Sequence, residues 1–164
     1  LGGVVLGNAP LASLMRDGVP MRCFAVRITK VNSSHPDGMA IGVTTRSPAS
    51  LDIVPDTADD IQPSWLAGFD GALWEGPSEA WTTSSWSAHS LQSGDVVEFA
   101  VGVSSVHVSV NGAEVVAWTV SVPGDVDLYP LVDLLGNTDG VALPAAAALG
   151  EAAAPKKSRE VGLG

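Results

Sequence analysis

The chain is predicted to be all-β and antiparallel, on three observations. Apolar and polar side chains alternate with period two in several short runs, the pattern of half-buried strands. Turn-forming clusters bound those runs, notably Asn32–Gly38, Asn111-Gly112 and Gly136–Gly140. The firmest stretch, Gly94–Gly112, combines both signals, and the rest of the chain is arranged around it. With 164 residues the chain holds one sizeable core and is too short for two ordinary domains.

Taken in order, Gly3–Leu6 reads as a short strand ended by Asn8-Ala9-Pro10. Between Arg22 and Val31, Phe24, Val26 and Ile28 face one way and Arg27 and Thr29 the other, a strand with one wet face. Asn32–Gly38 is a loop by composition, and its Asn32 sequon matters only in a secreted protein. Met39–Thr45 is the next strand, with Gly42 placed where a neighbouring backbone or ring approaches closely. Ala49–Ile61, acidic and proline-containing, is expected to be a long ordered loop with room for one helical turn. Trp65, beside Leu66 and near Phe69, is expected in the core. Trp74, Trp81 and Trp86 lie among Gly, Ser, Thr and acidic residues, where aromatics serve either as rigid contact anchors or as plugs closing the core.

Val97, Phe99, Val101 and Val103 then alternate, followed after Ser104-Ser105 by Val106, Val108 and Val110. Asn111-Gly112 tolerates positive φ and turns the chain into a third strand, Glu114–Trp118. Leu128–Leu135 reads as a buried strand, Gly136–Gly140 as a turn and Val141–Leu143 as the last strand. Beyond it, residues 144–164 are Ala- and Pro-rich and read as a flexible linker or tail.

Charge and residue type narrow the function. Net charge is −10, and no Lys or Arg occurs between Ser47 and Pro155. Such a surface repels phosphate backbones and anionic head groups, so neither nucleic acid nor membrane is an expected partner. No run approaches the roughly 20 apolar residues that span a bilayer. The opening Leu1–Leu6 lacks the basic region of a signal peptide and suggests a piece of a longer protein. A single cysteine, Cys23, leaves no internal disulfide or multi-cysteine zinc site and suits a reducing, cytoplasmic setting. Beside Phe24 it reads as a buried, inert thiol.

His35, His89 and His107 sit in no motif that pairs them with a nucleophile, and the sequence has no Gly-x-Ser-x-Gly, P-loop or dinucleotide fingerprint. The run Asp52, Asp56, Asp59, Asp60 lacks the spacing of an EF-hand loop, and the scattered carboxylates read as a solvated acidic face. No catalytic residue, metal site or cofactor is expected.

Several blocks, read together, carry a resemblance. Gly3-Val-Val-Leu-Gly-Asn-Ala-Pro-Leu11, Cys23–Ile28, Met39-Ala-Ile-Gly-Val-Thr-Thr-Arg-Ser-Pro48, Ser64-Trp-Leu66, Leu91–Asp95, Val106-His-Val-Ser-Val-Asn-Gly112 and Tyr129–Gly136 resemble the successive blocks of the neuralized homology repeat, part of the SPRY/B30.2 group. The resemblance runs from Gly3 to Leu143. It implies a bent antiparallel β-sandwich of two packed sheets, SPRY- or concanavalin-like, over residues 1–143, without the family's first strand pair. Ala67–His89 fits the family loosely and carries extra tryptophans. Members are binding modules for short segments of other proteins, often serving a ubiquitin-ligase domain elsewhere; no RING pattern is present, so ligase activity would lie outside this piece.

The resemblance therefore implies a non-catalytic module for a protein or peptide partner, with a ligase adaptor as one role. The expected contacts are Arg46, Trp65, Trp74, Trp81, Trp86 and Asp133. Arg46, the last cation before the acidic stretch, suits a ligand carboxylate or a neighbouring aspartate. Two alternatives stand beside it: a structural subunit docked in a larger assembly through an open sheet edge, and a carbohydrate-binding sandwich with stacked aromatics on an accessible face.

Overall fold

Residues 3–144 are described by the computed structural model. The tail expected over 144–164 lies, apart from Pro144, outside the described residues. The strands are β1 (Val4–Leu6), β2 (Ser13–Arg16), β3 (Val19–Val31), β4 (Ala40–Thr44), β5 (Ser64–Gly68), β6 (Ala72–Glu75), β7 (Ala80–Thr83), β8 (Val96–Val101), β9 (Ser105–Val110), β10 (Ala113–Thr119), β11 (Tyr129–Asp133) and β12 (Thr138–Ala142). All pair antiparallel. One sheet runs β1-β11-β4-β5-β6-β7; the other runs β10-β9-β8-β3-β12, with β2 also paired to β3.

Alternation decides what each face buries. Ile41, Val43, Trp65, Ala67 and Val132 of the first sheet meet Phe24, Val26, Ile28, Val97, Phe99, Val106 and Val108 of the second in the main core. The intervening residues Ala40, Leu66, Trp74 and Leu131 point to the outer face of the first sheet, where Ala58 and Ile61 complete a second, smaller core. β4 and β5 are thus buried on both faces, and every residue in them is inaccessible. Gly42 is needed there, since a Cβ on it would stand 1.9 Å from the Trp65 carbonyl oxygen.

The meander β8-β9-β10 forms as expected, with Asn111 and Gly112 at φ of 51° and 85° in the turn. The Asn111 side chain accepts from Val96 N–H and donates to Asp95, both at 2.9 Å. Other boundaries differ from the sequence reading. β8 ends at Val101, so Val103 lies in the connection and is 76% exposed, while Ser105 already belongs to β9. β12 starts at Thr138, within the expected turn, through an irregular ladder to β3. The segment between β4 and β5 makes two turns of 3₁₀ helix, Pro48–Ser50 and Ala58–Asp60. Cys23 is only half-buried, because it alternates with Phe24 and so lies on the outer side of β3. Three strands escaped the sequence reading: β2, joined to a longer β3 by Asp17-Gly18, and the pair β6 and β7.

Candidate protein-interaction surface

The outer face of the first sheet carries most of the residues singled out by sequence, held by a small polar framework. The chain leaving β4 is fixed at its root by Thr44, whose hydroxyl donates to the Pro63 carbonyl at 2.7 Å and accepts from Arg46 N–H at 3.1 Å. Asp133, fully buried on β11, accepts from the Ala58 N–H through Oδ2 and from the Leu135 N–H through Oδ1, each at 2.8 Å. Burial pushes its carboxyl above the usual carboxylate range, and the two N–H donors oppose that shift. Asp133 is therefore a latch holding the covering segment to the sheet. The Arg46 guanidinium is occupied locally: it donates to Ser50 Oγ at 3.2 Å and to the Ser50 carbonyl at 2.9 Å, and among the described residues no aspartate takes it.

The structure separates the tryptophans. Trp65, 1% exposed, and Trp86, also buried, belong to the main core. Trp74 is buried on the opposite side of the sheet, where its indole N–H donates to Ser64 Oγ at 3.2 Å. Trp81 sits directly across from it on β7 and is 50% exposed. The two rings lie 4.7 Å apart, and Phe69 meets Trp81 edge-on at 6.1 Å. Sequence reasoning missed Phe69 as the third ring; it stands in a turn at φ 54°, where no strand periodicity applies.

β7 also ends its sheet, with no strand on its outer side among the described residues, and Trp81, Thr82 and Thr83 are exposed. Acidic residues flank it. Asp70 lies in the turn before β6, Glu75 pairs in register with Ala80, and Glu79 immediately precedes β7.

Concavities also lie away from this face. An apolar cavity of about 340 Å³ opens between the sheets at the β1 and β12 edges, lined by Val5, Phe24, Val26, Pro130, Val132 and Leu143. A polar groove on the outer face of the second sheet holds the bidentate Arg16–Glu98 pair at 2.6 and 2.7 Å. Beside it His107 is a hydrogen-bonded histidine: Nε2 lies 3.1 Å from Ser105 Oγ and Nδ1 2.7 Å from Glu114 Oε2. Ser105 opens β9 opposite Thr119, and His107 and Glu114 lie on the neighbouring strands β9 and β10. His89 Nε2 contacts the His35 carbonyl at 3.0 Å. Among the described residues, no group of three or more His, Cys, Asp or Glu is placed to hold a metal ion. No helix there is long and apolar enough to cross a membrane.

The sequence matches the family model described as Neuralized over residues 3–144. No curated protein matches it. Among solved structures, the chain is similar to the NHR1 domain of Neuralized from Drosophila melanogaster at 12% identity and a TM-score of 0.57, covering 88% of this chain and 98% of that one. The SPRY domain of human HERC1 is similar at 19% identity and a TM-score of 0.55, covering 85% of this chain and 79% of that one. A solution structure of the NHR domain in Drosophila melanogaster Neuralized aligns at 13% identity and a TM-score of 0.51, over 87% of this chain and 91% of that one.

Proposed function

The chain belongs to the Neuralized family, and on that premise we propose that it is a non-catalytic recognition domain whose contact surface is the β7 edge centred on Trp81. Neuralized and SPRY domains are generally protein-interaction modules. The observation that carries the reading is a half-exposed tryptophan braced from below by the buried Trp74 and from the side by Phe69. Large rigid aromatics already held in place lose little freedom on binding, which is why they anchor interfaces. Within a longer protein, such a module would present its partner to a ubiquitin-ligase domain, the adaptor role.

The test is selection from a random peptide library against the chain and against Trp81→Ala. Enriched peptides should bind the first and lose the second, at a temperature where both are folded by circular dichroism. Peptides that bind both equally, or no enrichment at all, would overturn the reading.

A second reading, a subunit docked in a larger assembly, is favoured by the apolar cavity between β1 and β12, whose rim residues Val5 and Leu143 are 46% and 79% exposed. It requires that Val5→Asp disrupt assembly while Trp81→Ala does not.

A further inference from the structure

We propose that the occupant of the β7 edge is an extended segment of another protein bearing arginine or lysine, paired to β7 through its backbone and laid across Trp81; this rests on the recognition reading above. The backbone supplies the first argument. β7 is the terminal strand of its sheet, so part of its N–H and C=O groups face outward unpaired among the described residues. Proteins normally blunt such an edge with charge, proline or a bulge. β10, which ends the other sheet, carries Glu114 and a bulge between Glu114 and Val116. β12 carries Asp139 and two register irregularities. β7 lacks charge, proline and bulge, its residues being Ala80, Trp81, Thr82 and Thr83 on a regular ladder to β6; the opposite edge β1 lacks them too, but it carries no aromatic residue. A flat, uncharged edge is what an added strand requires.

Side-chain chemistry supplies the second argument. Trp81 rests on Trp74 and leaves half its surface in solvent. The face of an indole attracts a guanidinium or ammonium, and the rings that meet Trp81 among the described residues are Phe69 and Trp74, with no Lys or Arg stacked on it. Asp70, Glu75 and Glu79, in and beside the turns bounding β6 and β7, add a field of the same preference. A sugar would use the ring but would have no use for the open backbone edge. An acidic peptide would use the edge but meet the wrong charge.

The experiment is calorimetric titration of the 164-residue chain with synthetic peptides that alternate valine with arginine, with serine or with glutamate. A copy of the arginine peptide N-methylated on alternate backbone amides and a chito-oligosaccharide complete the set. The arginine peptide should bind, the serine peptide about tenfold more weakly, and the glutamate peptide not at all. N-methylation should abolish binding, and Trp81→Ala, titrated well below its melting temperature, should weaken it about tenfold. Equal binding of the serine and arginine peptides, undiminished binding of the N-methylated peptide, or binding of the saccharide alone would overturn the proposal. Peptides that bind through Trp81 regardless of charge would remove the basic partner and leave the recognition reading standing. If no peptide binds, the basic-segment proposal falls, and the library selection above alone decides the recognition reading.

Discussion

Asp133 shows what a single residue does here: its carboxylate takes two backbone amides in a place water does not reach. Asp133→Ala strands both donors and should cost about 2 kcal/mol, measured by urea unfolding. Its pH behaviour has a definite sign. The folded-state pKa lies above the ordinary 3.8, so the folded chain holds this proton more tightly than the unfolded one. The resulting stabilisation is complete below 3.8 and is lost as pH rises through the folded value. The stability of the wild type relative to Asp133→Asn should therefore fall as pH rises through that window, and a rise would contradict the assignment. None of this was legible locally, because Ala58 lies 75 residues away in sequence. Trp65 was legible, since its apolar neighbours put it in the core. Trp74, Trp81 and Trp86 were not separated, because their sequence surroundings are alike and only the pairing of β6 with β7 sorts them. Acrylamide should accordingly quench a component of the tryptophan emission that Trp81→Phe removes and Trp86→Phe does not.

The hairpins explain which elements the sequence disclosed. Asn111-Gly112 is flanked by strands whose inward valines announce themselves, so the turn was read with its strands. Asp17-Gly18 has the same chemistry, with φ of 50° and 79°. The strand before it, β2, is exposed over most of its length and gives no burial pattern to recognise. Likewise β6 and β7 have four residues each, too few to establish a period. Asn111→Ala removes two side-chain bonds of the β9–β10 turn and should lower stability by about 1 kcal/mol in denaturant unfolding. The covering segment between β4 and β5 is a different kind of element. It rests on the smaller core and the Asp133 latch rather than on a ladder. Its amides should exchange with deuterium well before those of β4 and β5 beneath it, by hydrogen-exchange mass spectrometry.

At the scale of the molecule, the pairings are remote in sequence: β1 joins β11, and β3 joins β12. Folding must close those long loops before the contacts repay it, so refolding is expected on the millisecond-to-second scale of β-sandwiches, by stopped-flow fluorescence. The division into two sheets came from the resemblance and not from periodicity, because β4 and β5 are buried on both sides and show no alternation. The order of strands in the first sheet carries a geometric consequence. β1 and β7 are its two opposite edges, roughly 24 Å apart at about 4.8 Å per strand. Val5 and Leu143, close to the first and last described residues, both line the cavity at the β1 side. A fluorophore, surface tether or fusion partner attached at either end of residues 3–144 would project away from Trp81, so immobilising the domain by its ends leaves the edge strand turned toward the solution.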